Sequence, residues 1–139
     1  MRCVLKPGGR VAIATWKDIE PPFSTIADAL GRHVSTEAAQ MMHSPFTLGD
    51  GATLAQLMSD AGFREVAVSD ETIECTWASH PEFARRYIAA SPIASVFTAA
   101  SSHSQQAVCD EVAERLAPHA TVDGSLRMPM TSNVAVGRA

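Results

Sequence analysis

The sequence is poor in the residues on which metal, redox and nucleic-acid sites depend. Its three cysteines, Cys3, Cys75 and Cys109, are far apart and form no C-x-x-C pair, so neither a zinc site nor a redox site is expected. The five histidines show no H-x-x-x-H or other metal-ligand spacing. The net charge is −4 and only 6% of residues are aromatic. Without a basic stripe with interleaved aromatics, no nucleic-acid partner is expected.

Long apolar runs and leader signals are missing as well. The most apolar long stretch, residues 87–100, is interrupted by polar residues and Pro92 and is too short to span a bilayer. The N-terminus lacks the apolar core of a signal peptide, and no G-x-S-x-G elbow indicates a hydrolase. An odd and small number of cysteines is typical of proteins whose thiols stay reduced, as in the cytoplasm. We therefore expect a soluble, cytoplasmic protein without a membrane partner.

The composition that remains is that of an ordinary globular domain. Hydrophobic residues make up 46% and charged residues 19% of the 139 residues, a balance that favours one domain with a real core. That length needs no disulfide or metal to stabilise the core. We therefore predict a single domain over 1–139, with helical insertions at about 22–46 and 79–118.

The first strand is predicted at residues 10–16. A turn rich in proline and glycine precedes it at residues 6–9. Its apolar run shows no alternation, which is typical of a strand buried on both faces, as in a parallel sheet.

Two later strands have a different pattern. Within residues 64–77 the apolar parity changes between Val66 and Trp77, which predicts a bulge or bend near Asp70. Residues 126–137 alternate between apolar and other side chains, which predicts a strand with one apolar face.

A helix is predicted at residues 50–61. Asp50 is suited to its N-cap, and Gly62 to a left-handed C-terminal cap. Gly49 and Gly51 flank Asp50 as a G-x-G. A lone glycine pair before a helix indicates a turn more often than a cofactor loop.

These segments together resemble a known family. Residues 5–10, Leu5-Lys6-Pro7-Gly8-Gly9-Arg10, resemble the turn before the fifth strand of class I S-adenosylmethionine-dependent methyltransferases, especially the type 11 subgroup related to quinone-biosynthesis methyltransferases. The helix at 50–61, followed by Gly62 and Phe63, resembles the family's last helix, which ends in A-G-F before the sixth strand. Residues 64–77 and 131–138 then resemble the sixth and seventh strands.

The resemblance implies an α/β fold, namely a partial Rossmann-like methyltransferase fold. Its short mixed sheet would contain the fifth, seventh and sixth strands, with helical insertions. It covers almost the whole chain but only the C-terminal half of the family's fold. The family's glycine-rich cofactor loop and the acidic residue of its second strand have no counterpart here, so no cofactor-binding residue is assigned.

The function implied is that of the substrate-side part of a small-molecule methyltransferase. S-adenosylmethionine is the family's cofactor, but we do not expect this truncated chain to bind it or to transfer methyl groups alone. The methyl acceptor, whether carbon, oxygen or nitrogen, stays open. The alternative is a non-catalytic module of the same origin that binds a small apolar ligand or dimerises.

Four residues are candidates for substrate binding and one for catalysis. Trp16, at the carboxyl end of its strand, either lines a pocket or packs under the next helix. Met42 and Phe46 suit an apolar ligand, although at helical spacing such residues more often form a simple core. The Tyr87 hydroxyl either reaches a pocket or is buried and hydrogen-bonded. His43 is a weak general-base candidate, or else an exposed loop histidine.

The missing half also predicts self-association. In the resembled fold a fourth strand pairs with the segment from Val11 to Thr15. Without that neighbour the apolar edge is a template for pairing. We therefore expect a homo-oligomer, a dimer in the simplest case, through this edge or through uncovered apolar faces.

Overall fold

The computed structural model describes residues 2–139, and of Arg2 only the backbone. Within this range the chain is α/β, as predicted, with six α-helices and three strands. The strands are β1 (Arg10–Trp16), β2 (Arg64–Trp77) and β3 (Leu126–Arg138). The helices are α1 (Pro21–His33), α2 (Thr36–His43), α3 (Gly51–Asp60), α4 (His80–Ala89), α5 (Ala94–Ala99) and α6 (Ser102–Leu116). Short 3-10 turns cover Arg2–Val4, Ser44–Phe46 and Ala117–His119.

The three strands described form one sheet in the order β1-β3-β2. β3 runs antiparallel to β1, with Arg10 opposite Arg138 and Trp16 opposite Ser132. The last strand of the chain therefore lies between the two earlier ones. The predicted mixed sheet is wrong, because the sheet is antiparallel.

β1 also corrects the prediction of a strand buried on both faces. Val11 and Ile13 are partly buried, whereas Ala12 and Ala14 between them are exposed. The alternation was hidden in the sequence because alanine counts as apolar yet is small enough to lie on a solvent-facing surface.

The chain divides into two compact units. The first unit consists of Met1–Asp18, Pro45–Ile73 and Met130–Ala139. The second unit consists of Ile19–Ser44 and Glu74–Pro129. The insertion predicted at 79–118 falls within the second unit, as does the one predicted at 22–46 apart from its last two residues.

The core of the first unit lies between α3 and the sheet. Leu54 and Met58 of α3 are each 3% exposed and pack with Phe63 and Ala135. The partly buried apolar residues around them are Leu5, Val11, Ile13, Val66, Val68 and Ala139. The Asp50 carboxylate accepts hydrogen bonds from the amides of Ala52 and Thr53, at 3.3 and 2.9 Å. The predicted N-cap is thus confirmed, as is the left-handed conformation of Gly62, whose φ is 84°.

The core of the second unit is helical and aromatic. Phe23 of α1 and Phe83 of α4 are buried, and their ring centroids are 5.9 Å apart. Trp77 lies 4.9 Å from Phe83, and Tyr87 lies 4.7 Å from Phe23. The other large side chains buried in this unit include Ile26, Leu30, Ile88, Ile93, Val108, Val112, Leu116 and Leu126.

The buried residues of β3 change parity along the strand. Leu126, Met128 and Met130 are buried in one half, whereas Asn133 and Ala135 are buried in the other. The single apolar face predicted for this strand is therefore wrong. The change of parity falls after Met130, which already belongs to the first unit. The parity change predicted for β2 is confirmed, since its partly buried residues pass from even to odd positions.

A tight turn before β3 gives a pH-dependent prediction. The Asp123 carboxylate accepts hydrogen bonds from the Thr121 hydroxyl and, at 3.0 Å, from the Ser125 amide. The bond from Thr121 is the main cause that lowers the pKa of Asp123 to about 2. Because the pKa of Asp123 is lower in the folded chain than in the unfolded chain, the ionised carboxylate stabilises the fold. This stabilisation is complete above about pH 3.8 and is lost as the pH falls towards 2.

We therefore expect Asp123→Asn to destabilise the chain near neutral pH and to lose this effect in acid. Urea midpoints of both proteins, measured from about pH 5 down to about pH 2.5, should converge as the Asp123 carboxylate is protonated. A difference between the two midpoints that stays constant over this range would contradict the assignment.

Candidate functional site

An open cleft of about 420 Å³ lies in the first unit, beside the start of α3. Its volume is within the usual range of small-molecule sites. It is lined by Lys17, Gly49, Asp50, Gly51, Ala52, Ala55, Val68, Asp70 and Asn133. Lys17 directly follows β1, so the cleft lies at the carboxyl end of that strand.

The loop before α3 depends on glycine for a backbone reason. A Cβ on Gly49 would lie 1.9 Å from the carbonyl oxygen of Lys17 and 3.2 Å from that of Phe46. The Gly49 amide donates to the same Phe46 oxygen at 3.1 Å. Close approach of protein backbone therefore accounts for Gly49, and no ligand is needed to explain it.

Asn133 of β3 anchors this loop through a side-chain hydrogen bond. It is only 1% exposed, and its Nδ2 donates to the carbonyl oxygen of Gly49 at 2.7 Å. Sequence reasoning missed this residue because it counted Asn133 on the polar side of an alternating strand. The signal was the parity it shares with Ala135 and Gly137, two small residues that mark close packing.

The cleft carries one positive and two negative side chains. Lys17 forms an ion pair with Asp70 of β2, and this hydrogen bond is the main cause that raises the pKa of the Lys17 ammonium. Hydrogen bonds from Thr53, and then from the Ala52 amide, lower the pKa of Asp50. The Asp50 carboxylate is therefore ionised at neutral pH. From the sequence, Asp70 was associated only with a bend and Lys17 with no role.

Two of the predicted substrate-binding residues meet in the first unit. The rings of Trp16 and Phe46 are 6.4 Å apart and inclined by 34°, and both side chains are partly exposed. The Thr15 hydroxyl donates to the carbonyl oxygen of Leu48 at 3.0 Å and so ties the loop to the end of β1. The pair therefore presents an aromatic surface next to the residues that form the cleft.

Met42 and His43 belong to the second unit, at the end of α2. Met42 is 3% exposed and forms part of the core. His43 is exposed, and neither a hydrogen bond nor an ion pair joins its imidazole to another described residue. A general base normally needs a partner that orients its ring, and within the described chain His43 has none.

Tyr87, also in the second unit, lies in the aromatic cluster of α1 and α4. Burial raises the pKa of its hydroxyl. That hydroxyl makes no hydrogen bond to any residue in the described range, so the expectation of a hydrogen-bonded core tyrosine is not what the structure shows.

Comparisons with known proteins identify no family. No protein-family model matches the chain, and no curated protein matches it in sequence. Over residues 2–139, no three His, Cys, Asp or Glu side chains are grouped so that they could hold a metal ion. The helices of this range also include none that is long and apolar enough to cross a membrane. Sequence pattern and geometry must therefore carry any functional conclusion.

Proposed function

We propose that this chain is the C-terminal, substrate-side part of a class I S-adenosylmethionine-dependent small-molecule methyltransferase. The observation that carries the proposal is the strand order β1-β3-β2, with β3 antiparallel to β1. The resemblance implies this order for the fifth, seventh and sixth strands. Strands consecutive in sequence are usually neighbours in a sheet, so a last strand that returns to the middle is informative.

Local features support the same assignment. Gly8 has a φ of 75° in the turn before β1, a conformation that favours glycine. At the end of α3 the Gly62 amide donates to the carbonyl oxygen of Ser59 at 2.9 Å. β2 begins two residues later, at Arg64. These are the turn and the helix end on which the resemblance depends.

The described residues do not fit S-adenosylmethionine itself. The G-x-G at residues 49–51 has no room for a ligand above Gly49, because the Lys17 carbonyl fills that space. We therefore derive no step through the cofactor. The part assigned to this chain is to bind and orient the acceptor at the carboxyl end of β1, where Trp16 and Phe46 form an apolar wall. Orientation of an acceptor is a large share of the catalysis of group transfer.

The reading frame upstream of the Met1 codon provides the test. We expect it to encode, in frame, a strand followed by a G-x-G loop and a helix. A polypeptide that joins this segment to the chain should bind S-adenosylhomocysteine in calorimetry, whereas the chain alone should not. Binding of S-adenosylmethionine by the chain alone, or an upstream sequence without such a segment, would contradict the proposal.

A second candidate function is a non-catalytic module that dimerises through β1. In the described sheet β1 is an edge strand whose only neighbour is β3. Its central residues include neither lysine nor proline, the residues that commonly protect edges. An antiparallel pair centred on Ile13 would place Ala12 opposite Ala14 and Val11 opposite Thr15, so the side chains match in size.

Sedimentation of the intact chain distinguishes this candidate. We expect a dimer that becomes a monomer in an Ala12→Lys, Ala14→Lys double variant, because both residues are exposed and would bring like charges together. The matched control is Ala12→Ser, Ala14→Ser, which should stay dimeric. A monodisperse monomer of the unmodified chain at high concentration would rule out dimerisation through this edge.

A further inference from the structure

We infer that the cleft beside the start of α3 binds a small organic ammonium ion. The inference concerns the chain by itself. It does not depend on a cofactor-binding half, so its failure and the failure of the proposed methyltransferase role are separate results.

The first observation is an unused acceptor on a buried side chain. Asn133 is 1% exposed, and its Nδ2 is committed to the carbonyl of Gly49. Its Oδ1 accepts no hydrogen bond from any described residue. In the described chain, every side-chain oxygen that is fully inaccessible to solvent has a hydrogen-bond partner. This Oδ1 has none, so it must be accessible to solvent. Asn133 lines the cleft. A fixed carbonyl oxygen of this kind requires a donor from water or from a ligand.

Gly51 keeps this oxygen accessible. A Cβ at this position would lie 3.1 Å from Asn133 Oδ1 and 3.3 Å from Cγ1 of Val68. Any larger residue would therefore press on the oxygen and narrow the cleft beside it. The glycine that starts α3 leaves space over the unused acceptor.

The charges of the cleft favour a cation over an anion. Asp50 and Asp70 outnumber the single ammonium of Lys17. Lys17 engages Oδ2 of Asp70, and no described residue donates to the other carboxylate oxygen. The unused oxygens of Asn133 and Asp70 are acceptors, which pair with N–H donors. The two carboxylates outnumber the one ammonium, so the cleft as a whole repels anions.

The remaining wall favours an organic ligand. Ala52, Ala55 and Val68 contribute small or apolar surface, which can contact a short hydrocarbon body but offers nothing to a hydrated inorganic ion. A neutral apolar molecule would leave Asn133 Oδ1 unpaired and desolvated, which is unfavourable. An ammonium group on a short alkyl chain satisfies both parts of the cleft.

The test is a titration of the isotope-labelled chain with 1,4-diaminobutane, followed by the backbone amide resonances. We expect saturable shifts at Gly49, Gly51, Val68 and Asn133, with a Kd on the order of 1 mM for so small a ligand. The uncharged 1,4-butanediol is the matched control and should cause no saturable shift. Equal shifts with the diol, or with magnesium chloride at the same ionic strength, would overturn the inference, as would shifts that do not saturate.

Charge variants supply a directional test that is independent of the control ligand. Asp70→Asn should weaken binding of the diamine about tenfold, because a charge-assisted contact is lost. Lys17→Met should tighten it by about threefold, because a competing cation is removed. Both side chains are substantially exposed, so both variants are expected to fold. Changes in the same direction, or no change in either, would overturn the inference.

A third variant tests the location. Ala55→Leu places a larger side chain in the partly exposed wall of the cleft while leucine preserves helix propensity. It should abolish the saturable shifts without loss of amide dispersion. Unchanged binding in Ala55→Leu would place the diamine elsewhere and so contradict the assignment.

Discussion

Gly49→Ala is expected to lower the free energy of unfolding by about 3 kcal/mol or more, because the new methyl group would collide with backbone. The Cβ would lie 1.9 Å from the Lys17 carbonyl oxygen and 3.0 Å from its carbonyl carbon. No side-chain rotation relieves such a contact. Either the end of β1 or the loop must move, and the loop is held by Asn133 and Thr15.

Two other glycines provide graded controls for this prediction. At Gly51 the nearest atom to a Cβ is a side-chain oxygen at 3.1 Å, and at Gly31 it is the methyl group of Ala39 at 3.3 Å. We expect about 1 kcal/mol of destabilisation for Gly51→Ala, and little change for Gly31→Ala, where helix propensity offsets the tight contact. Urea unfolding of the three variants measures the series. A Gly49→Ala protein as stable as Gly31→Ala would refute the backbone explanation.

The parts of the fold that local chemistry determines could be predicted from the sequence. The Asp50 cap requires only an acceptor two and three residues before free amides, and Gly62 requires only the left-handed conformation that ends a helix. Both are properties of a few consecutive residues. The three strands were recognisable for the same reason, since each is a continuous apolar or alternating segment, with one change of parity within β2.

The cleft could not be predicted, because its contacts join distant parts of the chain. Asn133 and Gly49 are 84 positions apart, and Lys17 and Asp70 are 53 apart. The one local signal is the parity that Asn133 shares with the small residues Ala135 and Gly137, and it does not by itself distinguish Asn133 from a solvent-facing residue. Its burial follows from the parity that β3 adopts after Met130, and that parity is set by packing.

The candidate substrate residues show a related limit of sequence patterns. Trp16 and Phe46 come together at the end of β1, whereas Met42 and Tyr87 lie in the second unit. The sequence placed both residues in the predicted helical insertions but did not show what they pack against. Met42 is a core residue for that reason, and the polar lining of the cleft, not an apolar one, is the chemistry that the first unit presents.

Phe83→Ala is expected to cost about 3–5 kcal/mol of unfolding free energy, the usual range for a buried phenylalanine. Phe83 is 1% exposed, and its ring lies 4.9 Å from Trp77 and 5.8 Å from Tyr87. Removal of the Phe83 ring leaves a cavity between the rigid rings of Trp77 and Tyr87. It also removes the aromatic contacts with both rings, which adds to the loss of unfolding free energy. Phe83→Leu is the matched control and should cost about 1.5 kcal/mol or less.

Tyr87→Phe completes the measurement in the same aromatic cluster. The Tyr87 hydroxyl makes no hydrogen bond to a described residue, so its removal should change the free energy of unfolding by less than about 0.5 kcal/mol. Chemical denaturation with near-ultraviolet circular dichroism follows all three variants, since the signal reports on packed aromatic rings. If Phe83→Ala cost no more than Tyr87→Phe, the cluster would not stabilise the second unit. If Tyr87→Phe were the costlier change, the hydroxyl would have a partner that the geometry does not provide.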